Sequence, residues 1–291
     1  MRDDFCTFIL THGRPDRVHT YKTLLRAGYT GKIYIVIDDE DKTADEYRAR
    51  FGNKVLQFCK AEIAARIDEG DNFNDRRAII YARNACWDLA RQAGCKYFIQ
   101  LDDDYTNFAF RFRKDGVPCF IQIHKQLDLV LSAMVDFLSN TPARTIAMAQ
   151  TGEYIGGFGG GEIKGGGLCR LRRKAMNSFV CDTGKPFEFY GRINEDVNTY
   201  TNGSRRGELF FTALQIMLAQ LQTQANAGGM SELYIDSGTY IKTFYSIMYA
   251  PSCVKVGTIG DWRSPHFRIH HKINWHHTAP KILSEQHKKG E

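Results

Sequence analysis

The sequence predicts an α/β fold with a mostly parallel central sheet flanked by helices. Short apolar runs at Phe5–Leu10, Ile33–Ile37 and Val55–Phe58 alternate with segments of helical character. This β-loop-α-β order is typical of a parallel, doubly wound sheet. The 291 residues, 43% of them hydrophobic and 25% charged, also match the length and composition of a globular protein with a substantial core.

Turn residues and apolar spacing predict the other elements. Helical spacing predicts helices over residues 17–27, 43–51, 77–93, 126–138 and 208–224. Short apolar or alternating runs predict strands over residues 96–101, 108–113, 117–123, 145–148 and 239–249. Residues 60–76 are rich in charge without a clear period, so we expect a loop there. Residues 156–167 hold eight glycines in twelve positions. We expect them to form a mobile loop that lets backbone approach a ligand, the alternative being a flexible linker.

Three consecutive carboxylates, Asp102, Asp103 and Asp104, follow the apolar run Tyr97–Leu101. Like charges at the end of a buried strand are unfavourable without a cation. In open α/β sheets, ligands bind at the carboxyl ends of the strands. Carboxylates at alternate positions can offer oxygen ligands to Mg²⁺ or Mn²⁺, which usually completes its shell with phosphates and water. The triplet therefore predicts a metal site, with a solvated acidic turn as the alternative.

A second acidic pair, Glu195 and Asp196, follows a stretch rich in aromatic residues. One member of such a pair can act as a general base, with its pKa set by burial and by its neighbour. The other interpretation is a helix N-terminus whose acids complement the helix dipole. The two interpretations are compatible.

Composition and charge indicate the kind of binding partner and the cellular compartment. The net charge of +6 favours a polyanionic partner. The eight cysteines show no C-x-x-C pair or zinc-ligand spacing, which favours reduced thiols in a cytoplasmic protein. No window has the length of a membrane span, and residues 1–10 lack a secretory pattern. Six of the nine histidines lie near the carboxyl end, and one of them could join Asp104 in a metal shell.

Several of these motifs, in this order, resemble a GT-A glycosyltransferase across residues 5–283. They are Thr11-His12-Gly13-Arg14-Pro15, Ile35-Val36-Ile37-Asp38-Asp39, Ala82-Arg83-Asn84, Leu101-Asp102-Asp103-Asp104 and Asn194-Glu195-Asp196. The tail segments Arg268–Trp275 and Pro280–Leu283 resemble more narrowly the TET-associated glycosyltransferases of bacteriophages. Those enzymes add sugars to hydroxymethylated pyrimidines in DNA.

The resemblance implies a donor site for a nucleoside-diphosphate sugar, expected to be a UDP-sugar, together with Mn²⁺ or Mg²⁺. Thr11, Arg14 and Asp39 would line the nucleotide pocket, and Arg83 would reach the donor diphosphate or sugar. Asp102 and Asp103 would contact the sugar and the ribose, Asp104 would bind the metal, and His271 or His270 would complete its shell.

The same resemblance implies an inverting reaction in one GT-A-like domain. Asp196, or otherwise Glu195, would deprotonate the acceptor hydroxyl. Residues 1–106 would form the nucleotide-sugar-binding half, and residues 107–291 the acceptor half with the tail. The enzyme would work in the cytoplasm, that of the host if it comes from a bacteriophage, without membrane contact.

Basic and aromatic residues give the DNA interpretation separate support. Basic residues suited to phosphates lie near the expected acceptor side, namely Lys164, Arg170, Arg172, Arg173, Lys174, Arg205 and Arg206. For any one of them alone, solvated charge is the better explanation. Phe187, Phe189 or Tyr190 could stack on a base flipped out of the duplex.

Three other interpretations compete with this one. The first is a GT-A enzyme that acts on a protein, lipid or saccharide. The second is a metal-dependent nucleotidyltransferase that releases pyrophosphate from a nucleoside triphosphate. The third, a non-catalytic nucleic-acid-binding protein, leaves the acidic triplet unexplained. The choice of sugar, of hydroxymethylcytosine or hydroxymethyluracil, and of oligomeric state stays open at this point.

Overall fold

The computed structural model describes residues 1–115, 117–150, 169–171, 174–221, 240–260, 263 and 267–278. The strands are β1 (Phe5–Leu10), β2 (Lys32–Asp38), β3 (Val55–Phe58), β4 (Tyr97–Asp102), β5 (Tyr105–Lys114), β6 (Val117–Gln122), β7 (Thr145–Gln150), β8 (Cys169–Arg170), β9 (Ser178–Asp182), β10 (Phe210–Gln220), β11 (Val254–Ile259) and β12 (Arg268–Ile273). The helices are α1 (His19–Arg26), α2 (Ala44–Phe51), α3 (Lys60–Ala64), α4 (Ile80–Gln92), α5 (Leu127–Ser139), α6 (Glu195–Arg205), α7 (Ile241–Tyr249) and α8 (Trp275–Thr278).

Within the described residues, one sheet has the strand order β3-β2-β1-β4-β9-β7-β10-β5-β6, with β8 beside β10. The four strands β3, β2, β1 and β4 are parallel. In the other half β7 and β10 are parallel, whereas β9, β5 and β6 join by antiparallel pairing. The predicted α/β class is therefore confirmed, with the parallel part concentrated in the amino-terminal half.

The register of the parallel strands sets the position of the site. Leu10 pairs with Val36 on one side and with Asp102 on the other. The residues that follow β1, β2 and β4 therefore leave the sheet at the same edge. This edge holds Thr11, Asp38 and the acidic triplet.

The two faces of the sheet carry separate cores because successive side chains of a strand point to opposite faces. Phe5 and Ile9 lie in the core that packs against α1 and α5, whereas Phe8 and Leu10 lie in the core beneath α4. Burying a large apolar side chain of this kind contributes about 1.5–3 kcal/mol. The sheet is thus covered on both faces, which agrees with its continuous apolar strands.

The prediction of a helix over residues 208–224 is wrong. Phe210–Gln220 form β10, which pairs with β7 on one side and with β5 on the other. Side chains on both faces of β10 are buried, among them Thr212, Ala213 and Leu218. A strand that is buried on both faces has no alternation, so its apolar residues can match a helical period by chance.

Two further predictions of secondary structure are also wrong. Residues 239–249 were expected to form a strand, but Ile241–Tyr249 form α7, whose buried side chains include Thr243 and Ser246. Residues 60–76 were expected to form a loop, but Lys60–Ala64 form the short helix α3. The backbone N–H of Lys60 donates to a carboxylate oxygen of Asp39 at 2.8 Å. This bond satisfies a donor that the start of a helix otherwise leaves unpaired.

Some sequence predictions lie outside the described residues. They concern the glycine-rich segment 156–167 and the basic residues Lys164, Arg172 and Arg173. The seven cysteines whose side chains are described are free thiols. Among the described helices, none is long and apolar enough to cross a membrane.

Candidate functional site

The middle aspartate of the triplet is held by the loop that follows β1. The Thr11 hydroxyl donates to Asp103 Oδ2 at 2.6 Å, and Arg14 Nη2 lies 3.1 Å from Asp103 Oδ1. Tyr47 supports this loop, because its hydroxyl lies 2.8 Å from Thr11 Oγ1 and accepts the Arg14 backbone N–H at 2.9 Å. The structure therefore brings together three residues that the sequence analysis assigned to the donor site, namely Thr11, Arg14 and Asp103.

Arg83 connects the two acidic motifs. It is 1% exposed, and its Nε donates to Glu195 Oε1 at 2.9 Å while its Nη2 donates to Asp102 Oδ1 at 3.0 Å. Nη2 also lies within hydrogen-bond distance, 3.3 Å, of Asn177 Oδ1. The remaining nitrogen, Nη1, is buried and has no hydrogen-bond partner among the described residues. One guanidinium thus fixes the end of β4 against the start of α6.

Asp104 differs from its two neighbours in its contacts. Its Oδ1 is buried and has no hydrogen-bond partner in the described part of the chain. Burial, followed by the charges of Asp102 and Asp103, raises the pKa of Asp104 to about 7. A buried oxygen without a donor is costly, and a bound cation would remove that cost.

Glu195 and Asp196 have different surroundings although they are adjacent in the chain. The Glu195 carboxylate is paired with Arg83, whereas Asp196 accepts the backbone N–H of Val197 at 2.8 Å in the first turn of α6. Burial and the Glu195 charge raise the pKa of Asp196 to about 7. The helix interpretation is confirmed, because these acids lie in the first turn of α6. The role of Asp196 as a general base stays a prediction, and a pKa near 7 is suited to such a role.

The two predicted metal histidines are neighbours on β12. The rings of His270 and His271 lie 4.1 Å apart between centroids. Burial, followed by nearby positive charge, lowers the pKa of His270 to about 4 and that of His271 to about 3. His271 Nδ1 is buried without a hydrogen-bond partner among the described residues. Both rings are therefore neutral at pH 7, the form in which imidazole binds a metal.

The residues present fit a divalent cation in part. Asp104 Oδ1 and His271 Nδ1 are both buried polar atoms without a hydrogen-bond partner among the described residues, and they are of the kinds that ligate Mg²⁺ or Mn²⁺. No hydrogen bond or ion pair between described residues joins the two, and the described residues contain no group of three metal-ligating side chains. A shell of one carboxylate and one imidazole completed by a diphosphate and water is compatible with this, since Mg²⁺ usually binds through one or two carboxylates plus phosphates.

A cavity of about 590 Å³ opens at the carboxyl edge of β1 and β2, next to the loop whose Thr11 and Arg14 hold Asp103. This first cavity combines apolar, cationic and acidic side chains, and it is lined by Leu10, Thr11, His12, Gly13, Arg14, Asp38, Glu40, Phe58, Lys60, Asn74, Arg76, Arg77, Ala78, Ile79 and Ala82. Asp38 rather than the expected Asp39 reaches its wall. The mixture of apolar surface and cations suits a nucleotide, whose base is apolar on its faces and whose phosphates are anionic.

Sequence reasoning missed the ion-paired side chains of this cavity. Lys60, 5% exposed, lies 2.9 Å from Asp38 Oδ1 and 3.4 Å from Glu40 Oε2. His12 Nδ1 lies 2.8 Å from Asp38 Oδ2, and this contact raises the pKa of His12. The signal available in the sequence was the run of acids after β2, but it does not tell which carboxylate faces the cavity. Lys60 gave no signal because it lies in the segment expected to be a loop.

A buried arginine, Arg192, holds the loop that carries Asn74, Arg76 and Arg77 to the first cavity. Its Nε lies 2.5 Å from Asp71 Oδ2 and its Nη1 lies 3.5 Å from Asp75 Oδ2. Asp71 also accepts a hydrogen bond from the Tyr245 hydroxyl on α7. Arg192 is only 3% exposed at its side chain, so these ion pairs are shielded from solvent.

Replacing Arg192 by alanine should destabilise the protein by about 3–5 kcal/mol, because Asp71 would keep a nearly buried charge without its partner. Urea denaturation at pH 7 measures this loss. Arg48→Ala is the matched control, since Arg48 and Asp45 form an exposed ion pair whose removal costs about 0–1 kcal/mol. Equal losses in the two variants would contradict the role given to Arg192.

The aromatic residues proposed to stack on a flipped base fall into two groups. Phe189 is fully buried, and it packs with Phe187 and Phe179 at ring distances of 5.1 and 5.0 Å. The stacking prediction is therefore wrong for Phe189, which belongs to the core, and Phe187 packs there as well. Tyr190 is half-buried and lines a second cavity together with Arg205 and Arg206.

Comparison with known proteins gives a family and distant structural likenesses. Residues 5–229 match the TET-Associated Glycosyltransferase family. No curated protein matches the chain. The crystal structure of S. aureus TarS residues 1–349 is similar at 10% identity and a TM-score of 0.42, covering 84% of this chain and 65% of that one. A second crystal structure of S. aureus TarS is similar at 12% identity and a TM-score of 0.40, covering 83% of this chain and 39% of that one.

Proposed function

Because the chain belongs to the TET-associated glycosyltransferase family, and is therefore a glycosyltransferase, we propose that it transfers a sugar from a nucleoside-diphosphate sugar to a hydroxymethylated pyrimidine in DNA. The observation that carries this proposal is the Arg83 bridge. It joins the end of β4, where a donor would bind, to the start of α6, where an acceptor would lose its proton. A transfer reaction needs its donor and acceptor close together, and this hydrogen-bonded link between the two acidic motifs supports the proposal.

On the donor side, the first cavity takes the nucleotide. Arg14, Lys60 and Arg76 supply positive charge for phosphates, and Phe58 and Ile79 supply apolar surface for the base. Asp102 and Asp103 are fixed by Arg83 and by Thr11 with Arg14, which supports a role in holding the ribose and the sugar. In this proposal the donor is a UDP-sugar. Asp39 does not line the first cavity but lies next to it, because it accepts the backbone N–H of Lys60, which does line it.

On the acceptor side, Asp196 accepts the proton of the hydroxymethyl group. The hydroxyl oxygen then attacks the anomeric carbon, the bond from that carbon to the diphosphate oxygen breaks, and the nucleoside diphosphate leaves with the electron pair. One base and one direct displacement invert the anomeric configuration. Glu195 is less suited to the task, because its carboxylate is already paired with Arg83.

Asp104 and His271 are the residues that would hold Mn²⁺ or Mg²⁺, with His270 as the alternative imidazole. A cation bound there would offset, as a Lewis acid, the negative charge that develops on the departing diphosphate. The protein would supply two ligands to this cation, the buried oxygen of Asp104 and a neutral imidazole.

Replacing Asp104 by asparagine should lower transfer by on the order of 10³-fold, since several kcal/mol of charge stabilisation would be lost. Loss of Mn²⁺ binding, measured by electron paramagnetic resonance of free Mn²⁺ with sugar nucleotide present, gives a readout besides activity. Asp45→Asn, at a 99%-exposed carboxylate, is the control. Normal Mn²⁺ binding by the Asp104 variant would refute the ligand role.

Two other functions use the same donor side. A glycosyltransferase acting on a protein, lipid or saccharide would keep the first cavity and the triplet but have another acceptor surface. A nucleotidyltransferase would release pyrophosphate from a nucleoside triphosphate. The positive charge of +6 and the basic residues beside α6 favour DNA over the uncharged acceptors.

The test is release of nucleoside diphosphate from a panel of sugar nucleotides with Mn²⁺. Each donor is offered together with hydroxymethylated DNA, a peptide mixture or an oligosaccharide. We expect release to be stimulated by hydroxymethylated DNA and not by the same DNA without the hydroxymethyl groups. Stimulation by peptide or oligosaccharide alone would overturn the DNA acceptor, and pyrophosphate release from a nucleoside triphosphate would favour the nucleotidyltransferase.

A further inference from the structure

The second cavity, of about 460 Å³, lies at the far end of α6 from Asp196 and has no role in the reaction described above. It is lined by two arginines and two tyrosines together with small and polar residues: Asp68, Gly70, Tyr190, Asn202, Arg205, Arg206, Met248 and Tyr249. Exposed guanidinium groups beside aromatic rings are the groups that bind the phosphate and the base of a nucleotide.

Arg205 is exposed but held in place. Its Nε donates to Asn202 Oδ1 at 3.2 Å, and its Nη2 donates to the backbone oxygen of Tyr249, also at 3.2 Å. Arg206, next to it, is exposed as well. A guanidinium that is already oriented loses less conformational entropy on binding, and its planar set of donors matches the oxygens of a phosphate.

The two tyrosine rings form the other wall. Tyr190 and Tyr249 lie 5.9 Å apart between centroids, with 34° between their planes. The Tyr190 backbone is fixed to α6, because its N–H donates to Thr199 Oγ1 at 3.2 Å and its carbonyl accepts from Asn198 Nδ2 at 3.0 Å. The Tyr249 hydroxyl donates to the backbone oxygen of Asp68 at 3.2 Å. Bases stack on such rings with little dependence on sequence, because every base has a π-face.

The acids near this cavity are engaged with backbone. The Asp68 carboxylate accepts the Gly70 N–H at 2.9 Å, and the Glu188 carboxylate lies within hydrogen-bond distance, 3.3 Å, of the Asp68 N–H. The first bond is local to the Asp68 loop, and the second joins Glu188 to that loop. Asp68 also lines the cavity, but the two arginines outnumber this one acid, so the lining is net positive.

The length of α6 sets the distance between this cavity and the reacting group. The helix has 11 residues, so at 1.5 Å per residue its ends are about 16 Å apart. Phosphates of one strand in a duplex are about 3.4 Å apart along the axis, so this length spans about five nucleotides, and fewer in an extended strand. A nucleotide in the second cavity would therefore be a neighbour of the target and not the target itself.

We propose that the second cavity is a subsite for a nucleotide that flanks the target in the DNA acceptor, with Arg205 and Arg206 on its phosphate and Tyr190 on its base. This inference rests on the proposed function. It assigns Tyr190 to a flanking base, in place of the flipped base to which the sequence analysis assigned it. It also explains why the adjacent Arg205 and Arg206 lie at the same cavity as Tyr190, which precedes α6 in the chain.

The test compares a long and a short acceptor. The double variant R205Q/R206Q is assayed on a 20-nucleotide DNA with one hydroxymethylated pyrimidine at its centre and on the modified mononucleotide. We expect the ratio of the long-acceptor KM to the mononucleotide KM to rise by about tenfold. The slope of log affinity for the 20-mer against log salt should become smaller by about 1, because the variant no longer binds the one phosphate that the two arginines contact. Y190A should raise the same KM ratio without changing the salt slope.

Arg91→Gln is the matched control, since Arg91 is also an exposed arginine in the last turn of a helix. An unchanged KM ratio and salt slope in R205Q/R206Q, while the wild-type protein transfers sugar to both acceptors, would overturn the subsite and leave the proposed function standing. If the wild-type protein transfers sugar to neither DNA acceptor, the proposed function fails, and the subsite fails with it.

Discussion

Replacing Asp196 by asparagine should lower the rate of sugar transfer by about 10²–10⁴-fold, the usual contribution of a positioned general base. Donor binding should be kept, because the first cavity lies on the other side of the Arg83 bridge. Transfer is measured with saturating donor and acceptor, and donor affinity by calorimetry.

Glu195→Gln is the companion variant that separates the two carboxylates. Glu195 is paired with Arg83, so its replacement should disturb the position of the site more than the proton transfer itself. If Glu195→Gln loses transfer while Asp196→Asn retains it, the assignment of the base is wrong.

The pH dependence of the transfer rate follows from the protonation of Asp196. Burial and the charge of Glu195 raise the pKa of Asp196 to about 7, whereas Arg83 and Lys242 act in the opposite direction. Because a base must be unprotonated to accept a proton, kcat should rise with pH up to about 7 and then level off. Below that pH, kcat should fall about tenfold per unit. The Asp196→Asn variant should lose this dependence.

Replacing Arg83 by methionine should be the most destabilising single change at the site, by about 3–5 kcal/mol. The side chain is 1% exposed, and its removal would leave Asp102 and Glu195 facing each other with no cation between them. Arg83→Lys keeps the charge but lacks the planar geometry that reaches both carboxylates, so it should recover only part of the loss.

Urea denaturation of the wild type, Arg83→Lys and Arg83→Met at pH 7 measures the free energy of unfolding of each. The expected order of stability is wild type, then Arg83→Lys, then Arg83→Met. A methionine variant as stable as the wild type would mean that Arg83 does not fix the two acidic motifs together.

The amino-terminal half of the fold could be predicted from the sequence because its signals are local. Apolar runs bounded by turn residues gave β1, β2 and β4, and parallel pairing then places the residues after these strands at one edge. The meeting of Thr11, Arg14 and Asp103 follows from that geometry.

The other half depends on contacts between distant parts of the chain. β10 is a strand because β5 and β7 pair with it on both sides, and no local pattern reveals those partners. Arg83 and Glu195 are 112 positions apart, so their ion pair could be seen only once the chain was folded. The choice between Asp38 and Asp39 at the cavity depends on which side the chain turns to as it leaves β2.

The proposed transfer to DNA is tested most directly by mass spectrometry of the nucleosides released from hydroxymethylated DNA after incubation with the protein, Mn²⁺ and sugar nucleotides. We expect one modified pyrimidine to gain the mass of a sugar residue with the wild-type protein, and this product to be nearly absent with Asp196→Asn. Unchanged nucleosides in the presence of a hydrolysed donor would contradict the DNA acceptor. An equal mass gain with Asp196→Asn would contradict the mechanism.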